Sequence, residues 1–203
     1  MSNKQHWENI YQTRQAHQVG WFQERAAMSL QFIRNTGVPA DAHIIDVGGG
    51  ASVLVDDLLQ AAYRNVSVLD LSAAALRTSQ QRLGKAAGQV RWIEGDITQI
   101  DLPPASIDVW HDRAVFHFLT AADDRRRYVE QVLHAVKPGG HVIIATFAED
   151  GPLQCSGLDI VRYRPDELHR EFGDAFALLH SQKDVHRTPG GAEQAFNYCY
   201  CRR

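Results

Sequence analysis

From residue 43 onward the chain alternates between short apolar runs and longer amphipathic ones, and this alternation restricts the fold more than any other feature. The segments "HIIDV" (43–47), "NVSVLD" (65–70), "QVRWIEGD" (89–96), "IDVWHD" (107–112) and "HVIIATF" (141–147) read as strands. Between them, "SVLVDDLLQAAY" (52–63) puts Val53, Leu54, Leu58 and Leu59 near helical spacing. "SAAALRTSQQRLG" (72–84) is predicted as a helix capped by Ser72 and stopped by Gly84, and "DDRRRYVEQVLHAVK" (123–137) as a helix closed by Pro138, Gly139 and Gly140. Strands separated by helices pair in parallel through right-handed crossovers, with helices on both faces. The expected class is α/β, a doubly wound and mostly parallel sheet.

Both ends depart from this pattern. "RPDELHREFG" (164–173) reads as a short helix, while "FALLHSQKDVHRT" (176–188) and "AEQAFNYCYCRR" (192–203) read as strands around the turn Pro189-Gly190-Gly191. They would add a C-terminal antiparallel hairpin and bring the sheet to seven strands. Upstream, helices are predicted over 4–17 and 24–36, interrupted by "VGWFQ" (19–23). This N-terminal helical cap carries Trp7, Tyr11, Trp21 and Phe22, an apolar flap or simply core. With 203 residues the chain is expected to be one domain, with a cap over 1–40, a core over 41–150, and a wall plus terminal hairpin over 151–203.

Composition narrows the partners. The net charge is −3, and the densest basic cluster, Arg125 to Arg127, follows two acids and reads as a solvated helix face, so nucleic acid is disfavoured. The polar opening "MSNKQHWENIYQTRQ" is not expected to be a signal peptide, and no run approaches the roughly eighteen apolar residues of a membrane span. Cys155, Cys199 and Cys201 have neither disulfide nor zinc spacing, and the expected location is the cytoplasm. No cluster of two histidines with a carboxylate points to a metal.

In open α/β sheets ligands bind beyond the carboxyl ends of the strands. The first strand leaves into Asp46-Val47-Gly48-Gly49-Gly50-Ala51-Ser52. A phosphate loop would need Gly-Lys-Ser/Thr, which is absent. The dinucleotide pattern G-x-G-x-x-G, counted from Gly48, fails at Val53, and the carboxylate of Asp46 would repel a pyrophosphate. An ammonium group would accept it. Asp70, at the end of the second strand, is placed to accept ribose hydroxyls. Asp96 and the Ile97 N–H, after the third, can read an adenine edge. Acids at three strand exits without a phosphate clamp match adenosine joined to an ammonium and a sulfonium.

Together "IIDVGGGAS", "VLDLS", "IEGDIT" and "AVKPGGHVIIATF" resemble, in order and spacing, the class I S-adenosylmethionine (SAM)-dependent methyltransferases. The resemblance covers roughly 40–150 and departs from the family pattern at Ser52, where a glycine is frequent. It implies SAM as cofactor, S-adenosyl-L-homocysteine as product, and a cofactor set of Asp46, Gly48, Gly49, Gly50, Asp70, Leu71, Asp96 and Ile97, with Trp21 from the cap.

The catalytic end is expected in "DVWHDRAVFHFLT" (108–120). If the fourth strand ends near His111, Asp112 and Arg113 emerge beside the ligand. The thiopurine methyltransferases similarly carry an Asp-Arg pair there, a resemblance that extends to Asp112 and Arg113 alone; His111 joins them as a catalytic candidate because it, Asp112 or His186 could take the proton of an amine or hydroxyl acceptor. The alternative for Asp112 is an ion pair with Arg113 or a cap on the next helix. His117, between Phe116 and Phe118, reads as a core histidine. Glu149, Asp150, Cys155, Arg162, Tyr163, His186 and Thr188 are further wall candidates. The expected function is methyl transfer to a small-molecule acceptor, with a thiol or other soft nucleophile preferred. A protein lysine methyltransferase, a non-catalytic SAM-binding module and an NAD-dependent oxidoreductase are the rivals.

Overall fold

The computed structural model describes residues 3–203. Helix α1 (Asn3–Thr13) and α2 (Ala27–Asn35) precede strand β1 (His43–Val47), followed by α3 (Leu54–Gln60), β2 (Asn65–Asp70), α4 (Ala73–Leu83) and β3 (Val90–Glu94). Next come β4 (Ile107–Arg113), α5 (Ala122–Ala135), β5 (Val136–Phe147), the short strands β6 (Gln154–Cys155) and β7 (Leu158–Asp159), α6 (Pro165–Phe172), β8 (Ala177–Arg187) and β9 (Glu193–Arg202).

The seven-stranded sheet has the order β3-β2-β1-β4-β5-β9-β8. Its first five members pair in parallel, and β9 runs antiparallel to both β5 and β8. The order reverses between β1 and β4, so the crevice expected to hold a ligand opens at their carboxyl ends.

Alternation along the strands builds two cores. Ile44, Val109, Ile143, Phe147, Phe196 and Tyr198 face α2 and α3, meeting Leu30, Phe32, Ile33, Leu54 and Leu58. Ile45, Val47, Trp110, Val142, Ile144 and Cys199 face α5 and α6, meeting Tyr128, Val132, Leu168 and Phe172. Ser72 caps α4 by accepting from the Ala75 N–H at 3.2 Å, and Gly84 closes that helix at φ 55°. Cys199 and Cys201 lie on one face as free buried thiols, 3.5 Å apart.

Several boundaries differ from expectation. The helix expected over 4–17 ends at Thr13 and is followed by a single 3₁₀ turn at Ala16–Gln18. Strand β5 starts at Val136 rather than at His141. The Gly139 N–H donates to the Arg203 carbonyl at 2.7 Å and the Arg203 N–H to that of Gly140 at 2.9 Å, so the chain end draws "KPGG" into the sheet. Strand β4 runs through Arg113, and this extension decides where its polar residues point.

The cap is bolted on by charge. The Glu8 carboxylate on α1 accepts from the Ser72 hydroxyl at 2.7 Å and the Ala74 N–H at 3.2 Å, at the N-terminus of α4, where a helix favours an anion. Arg77 reaches the same carboxylate at 3.2 Å, and Lys4 pairs with Glu94 at 2.6 Å. Among the described residues no helix is long and apolar enough to cross a membrane.

Candidate active site

A cavity of about 250 Å³ lies at the carboxyl end of the sheet. Its floor comes from strand exits: Gly48, Asp70 with Leu71, Asp96 with Ile97, and Arg113 to Val115. Its roof comes from Trp7, Tyr11 and Trp21 of the cap, and Phe147, Cys155, Gln194 and Phe196 close the far side. The Trp7 ring meets Phe118 edge-on at 5.1 Å and Trp21 at 5.6 Å, and the Trp21 indole donates to the Tyr11 hydroxyl at 3.1 Å. A smaller cavity of about 50 Å³ sits behind Gly48 and Gly49, lined also by Asp46, Ser29, His111, Trp21 and Arg113.

Asp70 is buried, accepting from the Gly50 N–H at 3.0 Å and the Ser72 N–H at 2.8 Å. Burial pushes its pKa up to about 7 against the pull of those two donors. Gly50 does not line either cavity; a Cβ there would stand 2.4 Å from Asp70 Oδ2 and 2.5 Å from the Ala75 Cβ. Its glycine lets the loop close onto the carboxylate. Gly49 plays the same part toward Asp46, where a Cβ would meet Oδ2 at 2.3 Å. Asp96 accepts from the Thr98 N–H at 2.9 Å and from the Gln99 amide at 3.1 Å, which fixes its carboxylate at the cavity edge.

Behind the glycines lies a chain of buried polar groups. His111 Nδ1 is 2.8 Å from Asp46 Oδ1, His111 Nε2 is 2.9 Å from Ser29 Oγ, and Ser29 Oγ is 3.3 Å from the Tyr198 hydroxyl. Asp46 Oδ2 is left buried and without a partner. Such an atom, in a cavity lined by a glycine loop, fits the ammonium of an amino-acid end. Ser29 and Tyr198 were not among the expected site residues. The polar Ser29 in the apolar run "AMSLQFI" was the one sequence signal for the chain.

The three catalytic candidates separate. His111 and Arg113 point to the α2 side and line the small cavity. Asp112, expected in the crevice, points the opposite way into the α5 core and lines neither cavity. Its oxygens accept from the Val115 N–H at 2.8 Å, the Phe116 N–H at 3.0 Å and the Tyr128 hydroxyl at 2.5 Å. Because β4 continues through Arg113, period-two alternation puts residues 110 and 112 on one face and 111 and 113 on the other. Asp112 is therefore a buried cap for the turn at Phe116–Phe118, and burial raises its pKa to about 6. With both ring nitrogens engaged, His111 serves to hold Asp46 rather than to meet a ligand.

Of the further wall candidates, only Cys155 lines the cavity, and burial pushes its thiol up to about 12. Glu149 is held by the Asn197 amide at 3.0 Å, Asp150 by Lys183 at 2.6 Å, and Arg162 by the Gly151 carbonyl at 3.1 Å. Tyr163 is buried, and His186 Nε2 is 2.8 Å from the Gly20 carbonyl. The Thr188 N–H closes the terminal hairpin on the Ala192 carbonyl at 2.8 Å.

His117 is a core histidine: its Nδ1 accepts from the Phe147 N–H at 3.3 Å, and burial pulls its pKa down to about 3. Folding therefore withholds a proton that the unfolded chain takes up below about 6.5. Stability from this group is present above 6.5 and falls as pH drops towards 3. In urea titrations between about pH 6.5 and 5, wild type is expected to lose up to about 1.4 kcal/mol per pH unit relative to His117→Gln. Parallel pH curves for the two proteins would contradict the buried neutral ring.

Sheet order, the acids at the first three strand exits and the roofed cavity at the switch point define a class I SAM-dependent methyltransferase, with S-adenosylmethionine as cofactor. The family model described as a methyltransferase domain matches residues 44–140. Among curated relatives, EEF1A lysine methyltransferase 2 of Homo sapiens is 21% identical over 193 residues, covering 88% of this chain and 76% of that one. Among solved structures, one described by the conversion of a disulfide bond into a thioacetal group during echinomycin biosynthesis superposes with TM-score 0.78 at 16% identity, covering 100% of this chain and 92% of the other. The N-methyltransferase NodS from Bradyrhizobium japonicum WM9, in complex with S-adenosyl-l-homocysteine, gives 0.75 at 14% identity, covering 100% and 99%. At these identities the structures share the fold.

Proposed function

We propose that this enzyme moves a methyl group to a small-molecule acceptor, with a thiol or another soft nucleophile as the preferred kind. The observation that carries this reading is the roof. Trp7, Tyr11 and Trp21 lie over the same cavity whose floor holds Asp70 and Asp96, an arrangement that suits a small acceptor. The bound cofactor supplies an activated methyl on a sulfonium. Asp46 Oδ2 would hold its ammonium, Asp70 its ribose hydroxyls, and Asp96 with Ile97 its adenine, with Leu71, Gly48 and Trp21 in contact. The roof excludes water, which favours a displacement in which charge is lost.

The choice of nucleophile follows from the side chains that line the acceptor end. Burial raises both the Tyr11 phenol and the Cys155 thiol, so neither is a ready base at neutral pH. That environment suits an acceptor arriving as an anion or with a free lone pair. A second reading is N-methylation of a protein lysine, favoured by the match to the human lysine methyltransferase over most of both chains. The test is incubation of the protein with methyl-labelled SAM and a cell extract, followed by separation by size and volatility. Label in a small or volatile fraction is expected. Label confined to a protein band would overturn the small-molecule reading.

A further inference from the structure

Four polar side chains from four separate elements meet behind the glycine loop. Asp46 lies on β1, His111 directly beside it on β4, Ser29 on α2 and Tyr198 on β9. Each is at most 2% exposed, so no bulk water stands by to replace a partner that is lost. Of all their side-chain oxygens and nitrogens, Asp46 Oδ2 alone is buried without a partner. The chain therefore ends on one free acceptor, and that acceptor lines the small cavity.

Hydrogen-bond chemistry fixes which way the protons run. The Asp46 carboxylate can only accept, so His111 Nδ1 carries a proton and donates it. Ser29 Oγ is the one hydrogen-bond partner of the Tyr198 hydroxyl among the described residues. Tyr198 therefore donates to Ser29, and Ser29 gives its own proton to His111 Nε2. Run the other way, the Tyr198 proton would sit without an acceptor among Phe32, Ala145 and Phe196 of the core. The order from Tyr198 to Ser29 to His111 to Asp46 matches every donor with an acceptor and leaves the imidazole with one proton.

Packing fixes both ends of this chain. Phe32, one helical turn after Ser29, stacks on the Tyr198 ring with centroids 5.2 Å apart and planes 4° from parallel. At the other end, Gly49 lets the loop close on Asp46 Oδ2. A carboxylate with one oxygen tied to its neighbour on the sheet cannot turn about χ2 without breaking that bond.

We infer that Ser29, His111 and Tyr198 are positioning residues for the ammonium group of the cofactor: they act through Asp46, by holding its Oδ2 towards the small cavity. This rests on reading Asp46 Oδ2 as the partner of that ammonium. Recognition of the amino-acid end is then set partly from β9, which is separated from β1 by β4 and β5.

The protein is titrated by calorimetry with S-adenosyl-L-homocysteine and with its deamino analogue, which keeps the carboxylate and lacks only the ammonium. Wild type is expected to prefer the first at least about tenfold, the range for one charge-assisted hydrogen bond. Asp46→Asn is expected to bring that preference close to one. Ser29→Ala and His111→Ala are expected to cut it at least about threefold. Tyr198→Phe is expected to cut it less, because Ser29 keeps its proton for His111. His111→Asn is expected to retain most of it, since its amide can place an N–H where Nδ1 stands. A lower folded fraction cancels in the ratio of the two affinities. Both probes weakened by the same factor would mark a merely structural role and overturn the inference. So would an unchanged preference in Ser29→Ala and His111→Ala beside a collapsed one in Asp46→Asn, a result that leaves the ammonium reading in place. An unchanged preference in Asp46→Asn would instead give Oδ2 to Arg113, the cation lining the same cavity, and both readings would fall.

Discussion

Asp112→Ala is expected to lower the unfolding free energy by about 3–5 kcal/mol, the range for removing one partner of a buried hydrogen-bonded charge. Three buried donors lose their acceptor together: the Val115 N–H, the Phe116 N–H and the Tyr128 hydroxyl. The Tyr128 hydroxyl also accepts from the Trp110 indole at 2.9 Å, so the disturbance reaches the centre of the α5 core. Asp112→Asn keeps one acceptor oxygen and removes a charge whose burial holds the pKa up at about 6, so a smaller loss is expected. Urea midpoints measure the effect, and cofactor affinity of the folded fraction is expected to stay close to wild type. A normal midpoint with collapsed turnover would instead return Asp112 to the chemistry.

The second large effect is on the cofactor. Asp70→Ala is expected to weaken SAM binding by about 1–3 kcal/mol, measured by calorimetry. The carboxylate is lost as an acceptor for the ligand, and the Gly50 and Ser72 N–H groups that shape the loop lose their partner. The pKa of about 7 gives a further handle. Ionised Asp70 is the better acceptor for hydroxyl donors, so affinity rises with pH through about 7 and flattens above it. The unliganded fold responds with the opposite sign. A carboxyl raised from 3.8 to about 7 keeps its proton longer in the folded state, so its contribution to stability falls as pH rises across that window. Asp70→Asn removes both slopes; affinity independent of pH in wild type would refute the assignment.

Much of this fold could be read from the chain because local pattern and tertiary burial agree over 43–94. The first two strands lie where their apolar runs put them, and Ser72 and Gly84 bound their helix as their chemistry requires. The site was less legible, for identifiable reasons. Whether Asp112 meets a ligand or a core depends on where β4 stops, and two residues of strand length separate these outcomes. Tyr128, the group that fixes Asp112, lies sixteen residues away on another element. The β6–β7 hairpin turns on Ser156 and Gly157, both at positive φ, in a segment where the sequence pattern predicts no strand. The start of β5 is set by the last residue of the chain, and Glu8 acts on residues more than sixty positions distant. No local pattern encodes such partners.

The docking of α1 has a kinetic consequence. Ser72 joins roof to floor: its hydroxyl donates to Glu8, and its backbone N–H donates to Asp70. Lifting α1 off the sheet would break this joint together with the Lys4–Glu94 and Arg77–Glu8 pairs. These tethers are ionic and partly open to water, so dissolved salt weakens them while leaving the apolar cores beneath untouched. Ionic strength thus acts on the attachment of the roof: added salt is expected to speed amide exchange over residues 3–13 more than over the strands of the sheet, and exchange there that ignores salt would contradict an ionic attachment.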